Sequence, residues 1–167
     1  HLLHSALREI LGDSVQQKGS LVNDEKLRFD FSHGGKLTQA EIDSIENIVN
    51  SEIEKSSITE TKTMSFQDAL DSGALAFFGD KYGDEVRVVS LGGEFSVELC
   101  GGTHVKNTSE IEGFIISNET SVSSGVRRIE AMTGSNLVKK SKAALTTIKE
   151  LSEILNVPQE ELVARIS

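Results

Sequence analysis

The chain has 167 residues, with 37% hydrophobic and 26% charged side chains, a size and balance that suit one soluble domain with a small appendage. No apolar run approaches the length needed to cross a bilayer. A net charge of −9 argues against a general nucleic-acid binder and leaves only local basic groups, Lys18, Arg127, Arg128 and the Lys139-Lys140-Lys142 cluster, to meet phosphates.

Residues 1–12, "HLLHSALREILG", place Leu2, Leu3, Leu7, Ile10 and Leu11 on one helical stripe that stops at Gly12. They start in mid-pattern with no capping residue and without the features of a signal peptide, as an excised fragment would. "KLRFDFSH" alternates, with Leu27, Phe29 and Phe31 on one face and Arg28, Asp30 and Ser32 on the other, which predicts a half-buried strand. "TQAEIDSIENIVNSEIEKS" opens on a capping box, Thr38 with Glu41, and runs Ile42, Ile45, Val49 and Ile53 along one helical face.

"ITETKTM" predicts a polar edge strand, and "SFQDALDSG" a short helix capped by Ser65 and closed by Gly73. "EVRVVSL" and "EFSVEL" flank Gly92-Gly93, the signature of a hairpin. "GFIIS" and "GVRRIEA" predict two more strands. From Asn136 the pattern becomes a long amphipathic helix that Asn156-Val157-Pro158 interrupts before a second short helix. With no Trp and one Tyr, the core must come from Leu, Ile, Val and seven Phe. The element order predicts an α+β core with a helical tail.

The chain has one cysteine, so it cannot form an internal disulfide, and the expected setting is reducing and cytoplasmic. Cys100 ends the second hairpin strand, four positions before His104 in "LCGGTHV". Gly101 and Gly102 would let the backbone turn sharply there and bring thiol and imidazole to one point, a pair suited to zinc. A buried thiol beside a turn competes with that reading, as does a cysteine nucleophile with its base; the latter lacks a visible third group or oxyanion hole. His1 and His4 share a helical face. A packing or hydrogen-bonding role is expected for His4 and a turn position for His33.

"HLLHSALREILG", "QQKGSLV", "LRFDFSH", "LCGGTHV" and "GVRRIEAMTG", in this order, resemble the editing domain of alanyl-tRNA synthetases and of the free-standing trans-editing proteins related to them. The resemblance covers residues 1–134. Residues 135–167 resemble the helical linker toward the C-terminal domain of the same synthetases. Thr103, where the related threonyl-tRNA synthetase domain has proline, favours the alanyl branch. The resemblance implies a mostly antiparallel sheet wrapped around a long helix, with an open metal cleft. It implies zinc on His1, Cys100 and His104. The partner of His1 in a His-x-x-x-His pair would lie four residues upstream, so a truncated domain, weak or missing metal and reduced activity are expected.

The implied reaction is hydrolysis of seryl- or glycyl-tRNA(Ala), with the tRNA(Ala) acceptor end and the remainder of the synthetase as partners and no membrane. Gln17 and Thr103 are the candidates for polar recognition at the reacting ester. Lys18, Arg127 and Arg128 are the candidates for phosphate contacts. Arg127 and Arg128 alternate along a strand, so at most one faces the cleft, and the other faces solvent or pairs with an acid such as Glu130. Asp30 and Glu98 are strand carboxylates that could orient His1 or His104, a solvated face being the expectation for Asp30. An inactive tRNA-binding or inter-domain module and a free-standing trans-editing protein are the alternatives. Self-association through the C-terminal helix would cover its apolar stripe.

Overall fold

The computed structural model describes residues 1–76 and 83–167; Phe77 and Phe78, two of the seven phenylalanines expected in the core, lie outside the described residues. The chain divides into two compact units, His1–Gly134 and Ser135–Ser167. The larger unit is α+β with two antiparallel sheets. Its elements are α1 (Leu2–Leu11), β1 (Gln17–Val22), β2 (Leu27–Ser32), α2 (Gln39–Glu54), β3 (Glu60–Ser65), α3 (Phe66–Asp71), β4 (Glu85–Leu91), β5 (Ser96–Leu99), a 3-10 turn at Thr108–Ile111, β6 (Phe114–Ser123) and β7 (Val126–Thr133). One sheet runs β1-β2-β7-β6 and the other β3-β4-β5.

Helix α2 begins where its capping box says it should. Thr38 accepts the Glu41 amide and Glu41 returns a carboxylate to the Thr38 amide. Its apolar face, with that of α1, shares one core with the inner faces of both sheets. Leu3, Leu7, Ile45, Val49, Phe29, Phe31, Ile129, Val89 and Leu91 all belong to it. Strand β4 switches sides within one step: Val86 and Val88 pack in a second core with Ala69, Ala74 and Leu99, while Val89 and Leu91 face the first. A strand buried on both faces reads as a nearly continuous apolar run, as "VRVV" does.

Three strands depart from the sequence pattern. Strand β1 gave no alternation because almost all of it is exposed; its ladder with β2 holds it. Strand β6 is ten residues rather than five, because its polar half pairs with β7 through two irregularities in register. Strand β5 starts at Ser96, two residues later than "EFSVEL" suggests, since Gly92 to Phe95 form the turn, with both glycines at positive φ (67° and 65°). The 3-10 turn after the Cys100–His104 segment was not foreseen. Asn107 caps it by accepting the Ser109 amide.

The start of the free edge of β6 is covered by side chains of α2. The Asn50 amide takes both backbone bonds of Phe114, accepting its N–H at 2.8 Å and donating to its carbonyl at 2.9 Å. Glu46 accepts the Ile116 N–H at 2.5 Å.

Asp30 is 9% exposed, not solvated, because the Arg128 guanidinium grips both its oxygens at 2.7 and 2.8 Å. Arg127 makes a matching fork onto Glu119 at 2.5 and 2.7 Å. Glu130, named from sequence as an example of an acid that could pair with one arginine, is taken by Lys26. The two arginines do sit on opposite faces of β7, but cross-strand register rather than nearness in sequence picks their acids: Arg128 stands opposite Asp30 of β2.

The smaller unit holds α4, which with Gly134 of the first unit spans Gly134–Leu155, a further 3-10 turn at Gln159–Glu161 and α5 (Leu162–Ile166). Helix α4 buries no residue, and Val138, Leu145 and Ile154 are exposed along it. Among the described residues no helix is long and apolar enough to cross a membrane.

Thr108 fastens the turn beyond His104 to the end of α2. Its buried hydroxyl donates to the Glu52 carbonyl at 2.9 Å and accepts the Ser57 amide at 2.9 Å. Thr108→Val keeps the shape and orphans both groups, so urea unfolding should show a loss of about 1–3 kcal/mol.

Candidate metal centre

Strand β5 leaves the hairpin with Glu98 pointing to the α1 side, and Cys100 follows at its end. Helix α1 presents His1 at its first turn and His4 one turn on. The carboxylate of Glu98, wholly buried, takes both: Oε2 meets His1 Nδ1 at 2.5 Å and Oε1 meets His4 Nδ1 at 2.8 Å. This arrangement turns the far nitrogen of His1 outward. His1 Nε2 lies 2.9 Å from His104 Nε2, and the two rings tilt at 47° with centroids 4.9 Å apart. His1, Cys100 and His104 each offer a ligand atom, all within 4.8 Å of one another.

The Cys100–His104 loop is braced from β4. The Cys100 amide donates to the Arg87 carbonyl at 3.0 Å, and the Arg87 guanidinium donates to the Cys100 carbonyl at 3.1 Å and to the Gly102 carbonyl. The Gly102 amide points at Cys100 Sγ, 3.4 Å away. Neither Gly101 nor Gly102 occupies the left-handed region. The backbone bends here because Arg87 gathers its carbonyls. A Cβ at Gly102 would lie in ordinary contact with Cys100 Sγ, 3.5 Å away, and with the His104 ring, 3.8 Å away.

Two imidazoles and a thiol are a donor set that suits zinc, and three protein ligands with one open position match a catalytic site. Zinc–nitrogen bonds of about 2.0–2.1 Å at a tetrahedral angle would set two nitrogens about 3.4 Å apart. The rings of His1 and His104 therefore need to part by roughly half an ångström, and the residues fit the ion.

The remaining candidates divide. Gln17 and Lys18 line a cleft of about 380 Å³ whose wall includes His4 and Arg8. The Gln17 amide donates to Ser20 Oγ at 3.3 Å, and Lys18 reaches Gln16 Oε1 at 3.2 Å. Thr103 is exposed on the loop, and its hydroxyl has no hydrogen bond among the described residues. Arg127 and Arg128 are committed to Glu119 and Asp30 and do not line this cleft. Sequence reasoning had offered Glu98 to His1 or His104; it holds His1 and His4. It missed Arg87, whose only signal was its place one strand away from Cys100.

Residues 86–130 match the model of the threonyl and alanyl tRNA synthetase second additional domain. Proteins named alanine–tRNA ligase are similar along the whole chain: 47% identical over 167 residues in Pseudomonas entomophila, and 48% over 166 residues in Saccharophagus degradans, each match covering 19% of the relative. The enzyme of that name from Pseudomonas fluorescens is 48% identical over 167 residues, again 19% of its length. The chain is similar over its whole length to one portion of proteins named alanine–tRNA ligase. It spans about 19% of the length of these relatives.

The electrostatics of the centre follow from burial. Burial alone would raise the Glu98 carboxyl, but hydrogen bonds and charge from His1 and His4 outweigh it and hold it at about 2, against an ordinary 4.5. Burial works against protonated His1, yet Glu98 and then Cys100 raise its pKa above the ordinary 6.5. His104 is lowered by burial, then by the charges of His1 and Arg87. In the metal-free protein the lowered Glu98 stabilises the fold above its ordinary 4.5, a contribution lost as pH falls from there toward 2. Raised His1 favours the fold below 6.5, whereas lowered His104 disfavours it there, so the two oppose each other. Chemical unfolding of metal-free protein should show a steep loss of stability as pH falls from 4.5 toward 2.

Proposed function

We propose that residues 1–134 are an aminoacyl-tRNA editing domain that hydrolyses seryl- or glycyl-tRNA(Ala). Residues 135–167 are then the helical linker onward in a longer synthetase. The observation that carries this reading is the meeting of His1, Cys100 and His104 within 4.8 Å, at the end of a helix whose His4 lines the Gln17 cleft. His1, Cys100 and His104 would hold zinc, which supplies Lewis acidity and lowers the pKa of a bound water.

The need for such a site is physical. An apolar pocket sized for alanine cannot exclude glycine, and it rejects an added hydroxyl by only about a hundredfold. A second site that hydrogen-bonds the serine hydroxyl discriminates in the opposite sense, since alanine offers it nothing. The Gln17 amide has both a donor and an acceptor in the cleft and takes this role. Thr103, exposed between Cys100 and His104, adds a hydroxyl to the other side of the ester. Lys18 meets the acceptor-end phosphates. Arg127 and Arg128 contribute less to them, because Glu119 and Asp30 already neutralise both guanidiniums. Hydrolysis adds water across the ester: the acyl carbon gains hydroxyl, the bond to the ribose oxygen breaks, and that oxygen leaves with a proton.

Acting on one acceptor end, the domain works beside the remainder of the synthetase, and the exposed apolar positions of α4 are covered by it or by a second copy. The test is deacylation of seryl-tRNA(Ala) and alanyl-tRNA(Ala) with zinc, by this chain and by a version extended upstream of His1. The seryl ester should be cleaved and the alanyl ester spared, with faster cleavage by the extended version. Cys100→Ala should slow cleavage at least about tenfold. An extended, zinc-loaded protein that leaves the seryl ester intact rules the reading out.

A further inference from the structure

Glu98 touches neither Cys100 nor His104, yet it sits where three imidazoles are decided. A carboxylate only accepts, so each imidazole nitrogen that meets it must carry a hydrogen. Both His1 and His4 meet it through Nδ1. In the neutral ring a hydrogen on Nδ1 leaves Nε2 bare. The bare Nε2 of His1 lies 2.9 Å from His104 Nε2, a separation that needs one hydrogen between the two nitrogens. His1 has none to give there, so His104 supplies it. That assignment leaves His104 Nδ1 without a hydrogen, and this atom is buried with no partner. The three rings are thus ordered in series from one oxygen pair.

We propose that Glu98 is a positioning residue that sets the tautomers of His1, His4 and His104 together, directing His1 Nε2 at the Cys100–His104 pair and fixing the face His4 turns to the Gln17 cleft. Metal then needs to displace the hydrogen shared between the two Nε2 atoms and the thiol hydrogen of Cys100, while the ligand His1 is already bare. The His4 branch makes the cleft wall depend on the same carboxylate. The tautomer assignment stands on the metal-free geometry; only its bearing on metal affinity rests on the metal-centre reading above.

Glutamine is the informative replacement. Its side chain has the shape of glutamate but one acceptor and one donor group, so it can satisfy the Nδ1 hydrogen of only one imidazole. The other ring must then present a bare Nδ1 and carry its hydrogen on Nε2. Nitrogen-15 NMR of the histidine rings in the metal-free chain above pH 8 should show Nδ1–H on His1 and His4 and Nε2–H on His104. In E98Q one of the first two should change tautomer. Titration of zinc against a competing chelator should show affinity weakened about 10- to 100-fold in E98Q, the usual effect of removing a partner behind a ligand.

Wild-type protein with Nε2–H on either His1 or His4 overturns the proposal without recourse to any variant. So does E98Q with unchanged tautomers, or with zinc affinity within twofold of wild type. Wild-type protein that has the stated tautomers but binds no zinc upholds the positioning role and instead defeats the metal-centre reading.

Discussion

A carboxylate removed from water must be matched by hydrogen-bond donors, or it will not stay ionised. Glu98 is wholly buried, and among the described residues the side chains that hydrogen-bond its carboxylate are the imidazoles of His1 and His4, at the start of α1. Much of the larger unit follows from that one requirement. The start of α1 is held against β5, although the two are nearly a hundred residues apart in sequence. Leu3 and Leu7 of the same helix are then carried into the core shared by both sheets. The carboxylate joins a helix to a strand and sets out the chemistry at the same place.

The metal-centre loop is held from two more directions, both by side chains that donate to backbone carbonyls. Arg87 collects the carbonyls of Cys100 and Gly102 from the neighbouring strand, and Thr108 pins the far end of the segment to the last turn of α2. A loop bearing ligands needs such supports, because an error of an ångström in ligand position is enough to spoil a site. Cys100 and His104 gain their positions from groups that take no part in the chemistry.

How much of this was legible in the sequence depends on the kind of signal. The α2 capping box, the α1 stripe and the Gly92-Gly93 turn are local codes, and residues three or four apart write them without outside help. Strand β1 and the second half of β6 are not local: polar and exposed, they are strands because β2 and β7 offer them a ladder. The nearness of His1 to Cys100 and His104 came from resemblance, since spacing along the chain says nothing about residues a hundred positions apart. The partners of Asp30, Arg127 and Arg128 were misjudged for the same reason. They depend on register between strands, whereas Glu130 was chosen for being close in sequence. The glycines of "CGGTH" suggested a sharp turn, and nothing local announced that Arg87 would brace it from the neighbouring strand.

The side-chain cover on β6 has a consequence for how the domain behaves among copies of itself. A sheet edge with free amides and carbonyls is a template for any other extended chain. Asn50 imitates a neighbouring strand at Phe114, and Glu46 occupies the next free amide. At the opposite margin, β1 loses its even register between Gln17 and Gly19, where the lysine ammonium of residue 18 also projects. An irregular, charged margin is a poor template. The apolar start of one border and the irregular end of the other are thereby made unattractive to fibril-like stacking, a safeguard that would matter most when newly made chains are crowded together.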